Sequence, residues 1–178
     1  MHAFWANGYE ATSLTDLVSA TGLLKGSLYQ AFGDKHSLFI QSLSRYLENM
    51  RRRKDELLEQ APTPLDGIRE VLHGMIDIAD ADSECPKGCM AANSLVEMVP
   101  SDAEVRKIMV DHSQRMRRSM IGNVVAAQAA GQIKIDRKPE LITALLMTFM
   151  AGLATTMKGP LSKIDAHKLL DAQLNALV

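Results

Sequence analysis

Apolar residues return every three or four positions from one end of this chain to the other, and nowhere do they alternate with polar ones for the length of a strand. The fold is therefore expected to be all-α, with helix order readable from start and stop signals. Ser13-Leu14-Thr15-Asp16 has the form of a capping box, in which a side-chain oxygen at each end answers an orphan amide, and Gly22 closes that short helix. After the turn Thr21-Gly22-Leu23, a second short helix is expected from about Lys25 to Phe32. Asp34 caps a long helix bearing Leu38, Leu43, Leu47, Met50, Leu57 and Leu58, which Ala61-Pro62 ends. Thr63, Pro64 and Asp66 open the next.

Asp80 to Lys87 reads as a loop, followed by a short helix from about Gly88 to Met98. Ser101 with Glu104 makes a further capping box, opening a helix that ends at Gly131 and carries Val105, Met109, His112, Met116, Met120 and Val124 on one face. Pro139 starts another. Its uncharged run Leu141 to Met157 is apolar on nearly all sides, and at 17 residues it falls short of the ~20 that span a bilayer. The last helix carries Ala166, Leu169, Leu170, Leu174 and Leu177, with no later element of the chain to cover them. These two terminal helices are expected to pair with a second copy in a four-helix bundle, the alternative being an intramolecular core.

The 178 residues suffice to bury a core without metal or disulfides. A chain with two cysteines and no basic-then-apolar leader is assigned to the cytoplasm. Charge and aromatic residues divide it unevenly. Seven of the eight aromatics lie in the first 46 residues, and through Lys54 seven basic residues face four acidic ones, leaving the remainder acidic. In the second short helix Leu28 and Phe32 would face inward, leaving Lys25, Ser27, Tyr29 and Gln30 outward. An ammonium and hydroxyls suit phosphates, and a carboxamide can pair with adenine.

The segment GYEATSLTDLVSATGLLKGSLYQAFGDKHSLF, residues 8–39, resembles the DNA-binding domain of the TetR family of bacterial transcriptional regulators. The resemblance rests on Gly8, Tyr9, Thr12, Ser13, Gly22, Lys25, Gly26, Ser27, Leu28, Tyr29, Phe32, Lys35 and Leu38. It implies a three-helix DNA-binding domain over residues 1–46, with the helix-turn-helix at about 13–32. A larger helical effector-binding and dimerisation domain would follow over 47–178. It also implies a homodimeric repressor released from a palindromic operator in double-stranded DNA by a small-molecule effector, with no cofactor and no membrane partner. Carried across residue by residue, Thr12, Ser13 and Thr15 would meet phosphates, Lys25, Gly26, Ser27, Tyr29 and Gln30 would lie on the recognition helix, and Lys35 would meet the backbone. Two departures are visible. Leu24 stands where many members have a capping residue, and only the tail of the family's first helix is present, about a dozen residues short.

Methionines give the second domain a soft interior, and Met75, Met98, Met116 and Met120 are the expected pocket residues. Cys85 and Cys89 form the one locally reactive arrangement. A thiolate beside Lys87 at a helix N-terminus would be stabilised, and some TetR members with a similar Gly88-Cys89-Met90 segment respond to oxidants or electrophiles; the competing reading is a buried Cys89 acting as a small apolar residue with an incidental loop cysteine. The alternative reading is accordingly a helical ligand- or thiol-sensing protein without DNA binding. Arg51-Arg52-Arg53-Lys54 sprays around a helix and reads as a solvated face. No structural zinc spacing is present. His2, His36, His73, His112 and His167 form no i,i+4 ligand pair with each other, and no nucleophile, base and orienting acid are grouped by motif, so an enzyme is not expected.

Overall fold

The computed structural model describes residues 1–79 and 88–177. The expected loop Asp80 to Lys87, with Cys85, lies outside the described residues. Within them the chain forms α1 (His2–Asn7), α2 (Leu14–Thr21), α3 (Lys25–Phe32), α4 (Lys35–Gln60), α5 (Pro64–Ala79), α6 (Met90–Glu97), α7 (Ala103–Ala129), α8 (Pro139–Thr156) and α9 (Lys163–Asn175), and no strand is among them.

Local chemistry sets most of these boundaries. Ser13 Oγ accepts the Asp16 amide while the Asp16 side chain accepts the Ser13 amide, and Gly22 ends α2 at φ 67°, a left-handed conformation cheap only for glycine. Asp34 accepts the Ser37 amide to open α4, Thr63 accepts that of Asp66 to open α5, and Pro139 occupies the first turn of α8. One cap differs from expectation. Asp102, not Ser101, receives the amides of Glu104 and Val105 at the head of α7, because its carboxylate also holds His36 from α4. The run Arg51 to Lys54 stays largely solvated: Arg51, Arg52 and Arg53 are exposed, with Arg51 pairing to Glu48 and Asp55 on its own helix, while Lys54 reaches Ser119.

Two apolar clusters hold the helices. One joins α1, α2, α3 and the first half of α4 to α6 and the start of α7, through Phe4, Phe39, Leu43, Met90, Val105 and Met109. The other joins α5, the later part of α7, α8 and α9, through Ile68, Ile76, Val124, Leu146, Leu170 and Leu174. The boundary expected near residue 46 thus falls inside α4, a continuous helix whose early turns close the first cluster and whose Leu57 and Leu58 lie against the second.

The expectation for α9 needs correction. Ala166, Leu170 and Leu174 are each 0% exposed, because the chain returns α9 onto α5 and covers the stripe itself. Only Leu169, at 46%, remains open. On α8, Ile142, Leu146, Met150 and Leu153 are buried while Leu141 and Leu145 are 52% and 42% exposed; on α9, Ile164 outside the stripe is 67% exposed. By length and composition α8 reaches the threshold of a membrane-crossing helix, with a mean hydropathy of 1.3, contrary to the sequence expectation; its inner side belongs to the second cluster.

Truncating a residue so enclosed leaves a cavity within one chain. Leu170→Ala should cost about 2–5 kcal/mol in urea unfolding compared with the wild type at the same protein concentration. A loss below ~1 kcal/mol would contradict the enclosure of α9 by α5.

Candidate nucleic-acid interface

The pair α2 and α3 is pinned from beneath by Leu17 and Leu28, 3% and 2% exposed, which leaves the opposite face of α3 free. Lys25, Gly26, Ser27, Tyr29 and Gln30 are all exposed on it. Lys25 Nζ stands 5.9 Å from the Tyr29 ring centroid, so the phenol steadies the ammonium without burying it. Leu24 opens α3 with no side-chain cap. First-turn amides of an uncapped helix have no intrahelical acceptor and are suited to a phosphate oxygen. Exposed Leu24 and Leu23, at 78% and 40%, flank this end and were not anticipated from sequence; apolar residues beside a reading helix suit thymine methyl groups.

The residues expected to meet phosphates separate into two groups. Ser13 and Thr15 are exposed at the start of α2, where Ser13 and Asp16 complete the cap and their hydrogen bonds hold the Asp16 carboxyl below its usual range. Thr12 is corrected: it is 0% exposed, and its hydroxyl donates to the Gly8 carbonyl at 2.5 Å, bracing the α1–α2 turn. Lys35 is half-buried, its ammonium 4.5 Å from the Tyr9 ring centroid and 3.3 Å from the Glu10 carbonyl, so it serves the packing of the turn before any backbone phosphate.

The reading face is fastened to the rest of the molecule through both ends of α6. At the first end Trp5 Nε1 donates to the Gly88 carbonyl at 2.9 Å, and the Tyr46 hydroxyl donates to Cys89 Sγ at 3.6 Å. Burial, then Cys89, pushes the Tyr46 phenol well above its ordinary range. At the other end the Glu97 carboxylate accepts the amides of Tyr9 and Glu10, each at 2.9 Å. Gly8, at φ +82°, permits this approach, since a Cβ there would lie 2.7 Å from Glu97 Oε2. Beside it His36 Nε2 meets Asp102 Oδ2 at 2.6 Å; the Val105 amide and then His36 hold Asp102 below the usual carboxylate range.

Between α6 and the body lies an apolar cavity of about 150 Å³. Met75, Met116 and Met120 line it as expected, whereas Met98 does not: it is buried in the cluster on the reading-head side. The wall also includes Cys89 and, with no sequence pattern to separate them from core positions, Met50, Met109, Met147, Met150 and Met157. His112 borders both this cavity and a polar cleft between α4 and α7, and burial, then Arg115 and Lys54, lowers its pKa.

Residues 1–41 match the family described as bacterial regulatory proteins, tetR family, and residues 64–166 match the tetracyclin repressor-like C-terminal domain. The chain belongs to the TetR family. Its relatives include the uncharacterized HTH-type transcriptional regulator YezE of Bacillus subtilis, 30% identical over 133 residues, 75% of this chain and 68% of that protein. The HTH-type transcriptional repressor ComR of Escherichia coli is 28% identical over 133 residues, 75% of this chain and 63% of that one. Among solved structures, a cysteine mutant of the TetR-family regulator CifR complexed with 26-bp double-strand operator DNA superposes with a TM-score of 0.84 at 26% identity, covering 99% of this chain and 91% of that one. As a TetR-family member the protein is a DNA-binding transcriptional regulator, not an enzyme.

On a TetR-type reading head, Lys25→Ala should weaken binding to all DNA sequences and reduce the slope of log K against log salt by about 0.9, one released counterion. Lys35→Ala should act mainly through the stability of the head. Gln30→Ala should change sequence preference. Fluorescence anisotropy across a salt series decides this: an unchanged slope for Lys25→Ala would place the DNA on another face.

Proposed function

We propose that this regulator is a cytoplasmic homodimeric repressor that holds a palindromic operator through paired reading heads (residues 1–46) and releases it when a small molecule enters the methionine-lined body (47–178). The observation that carries the reading is the exposed face Lys25 to Gln30 on a helix anchored by Leu28. One head offers few base contacts. A two-fold pair reads half-sites about 34 Å apart and combines them.

The pairing surface we assign is the free side of α8 together with the exposed face of α9. Leu141, Leu145 and Leu169 are exposed there, with exposed Ala144, Ala151, Gly152, Ala172 and Ala176 allowing close helix approach. The seam therefore differs from the stripe read in sequence, since Leu170 and Leu174 are internal. Leu145→Glu with Leu169→Glu should yield a folded monomer in sedimentation velocity and abolish operator binding, because charge would enter a seam expected to bury over ~1,000 Å². An unaltered dimer would refute the assignment.

The effector acts through α6, whose Ala91, Ala92 and Leu95 line the cavity while its ends hold Trp5, Tyr46, Tyr9 and Glu10. An occupant that displaces α6 reorients the heads, provided it binds the released state more tightly than the DNA-bound one. A second route is supported by the place of Cys89 in the cavity wall, where an electrophile admitted by the cavity would meet its sulfur. Cavity-filling Met116→Trp and serine replacement of both cysteines separate the routes. The first should abolish enhancement of an anilinonaphthalene sulfonate probe and leave operator affinity intact. If N-ethylmaleimide releases the wild type from DNA but not the double variant Cys85→Ser with Cys89→Ser, the thiol route prevails; release of both would exclude it.

A further inference from the structure

Away from the reading face and the cavity, α5 and α9 bring two histidines edge to edge. His73 Nδ1 and His167 Nδ1 lie 2.5 Å apart, with ring planes 19° from parallel and centroids separated by 4.8 Å, the separation expected of rings meeting in a nearly common plane at that distance. The partners are 94 positions apart, so spacing along either helix could not reveal them.

Each ring is backed by a carboxylate. His73 Nε2 is 3.0 Å from Asp171 Oδ1 and His167 Nε2 is 3.2 Å from Asp77 Oδ1. Behind these stand two cations, Arg69 at 2.7 Å from Asp171 and Lys163 at 2.9 Å from Asp77. A carboxylate held by a cation only accepts hydrogen bonds, so each Nε2 must carry its hydrogen. A neutral imidazole has one such hydrogen. Both Nδ1 atoms therefore present lone pairs to each other, an arrangement that calls for an electrophile between them. An imidazole whose far N–H is held by a carboxylate is also the arrangement that surrounds metal-bound histidine, where the carboxylate fixes the tautomer and raises ligand basicity.

We propose that His73 and His167 form a binding site for a borderline divalent cation, Zn²⁺ foremost, with the two Nδ1 atoms as ligands and Asp171 and Asp77 orienting the rings. Among the described residues no group of three or more His, Cys, Asp or Glu side chains is placed to hold one metal ion. The pair thus supplies two protein donors, and water completes the shell. Zn–N bonds of about 2.0–2.1 Å at a tetrahedral angle set the nitrogens about 3.3 Å apart, so the rings open by under ~1 Å. Side chains 21% and 27% exposed leave water and metal a route in. The site is exchangeable, and its effect falls on how α5, which supplies Leu72, Met75 and Ile76 to the cavity wall, sits against α9.

Zn²⁺ alone, titrated calorimetrically into the metal-free full chain, should bind at one ion per chain and raise its melting temperature. His73→Gln and His167→Gln should each remove both effects, and Asp171→Asn should weaken binding about tenfold or more. In the wild type, ¹⁵N spectra should show Zn²⁺ shifting the Nδ1 resonances of two histidines, a readout that needs no variant to fold. Absence of binding, or equal binding by wild type and both glutamine variants, would overturn the site and leave a shared proton between the rings.

Discussion

The reading head has no core of its own, and much of the molecule follows from that. Among the described residues of α1, α2 and α3, the buried apolar side chains are Phe4, Trp5, Leu17 and Leu28, too few to hold a three-helix unit. The deficit is met by sharing a cluster with the body. Phe4 packs edge-on to Phe39 at 5.3 Å, Trp5 to Tyr46 at 5.1 Å, and Met90, Val105 and Met109 close the far side. The crowding of aromatic residues into the first 46 positions is thereby explained: all but Tyr29, which stands on the reading face, join the cluster shared by head and body, where large rigid rings bury the most area for the fewest ordered torsions.

A joint of this kind places α6 where the proposed release mechanism needs a lever. Its two ends are fastened to the head by different chemistry, an indole and a phenol at Gly88 and Cys89 and a carboxylate under two amides at Glu97, while its middle borders the cavity. The cavity side is built from flexible methionines, which repack at little cost; the head side is built from hydrogen bonds and rings, which do not. On the proposed release mechanism, a displacement produced in the soft part is passed to the stiff part, and a coupling of about 1–3 kcal/mol is enough to change affinity 5- to 150-fold.

Features decided within four residues were legible in the sequence: the Ser13–Asp16 box, the Asp34 cap, Pro139 opening α8 and the outward set from Lys25 to Gln30 on α3. Features decided across the fold were not. Ser101 and Asp102 offer competing caps in adjacent registers, and His36, 66 positions from Asp102, sits where it favours the second. Thr12 occupies a conventional phosphate position, yet its hydroxyl is satisfied internally by Gly8. Met98 and Met109 look alike in sequence. Which of them reaches the cavity depends on how α6 and α7 turn relative to each other. His73 and His167 show the same limit, since each helix carries half of their arrangement.

The helix read as apolar all round, α8, resolves into two surfaces of different composition. The inner one carries Ile142, Leu146, Met150 and Leu153, branched or long side chains that fill the volume against α5 and α7. The outer one carries Leu141 and Leu145 followed by Ala144, Ala151 and Gly152, and a Cβ built on Gly152 meets nothing within 4 Å. A glycine in a helix interior costs about 0.5–1 kcal/mol relative to alanine, so open space alone gives it no compensation within the monomer. Close approach of a second backbone does. Small residues on an exposed helix face, flanked by large apolar ones at its beginning, are the composition that lets two helices cross near contact distance while leucines anchor the crossing. The proposed seam on α8 thus accounts for both the residual hydropathy that periodicity could not assign and the glycine that the chain's own packing leaves without a reason.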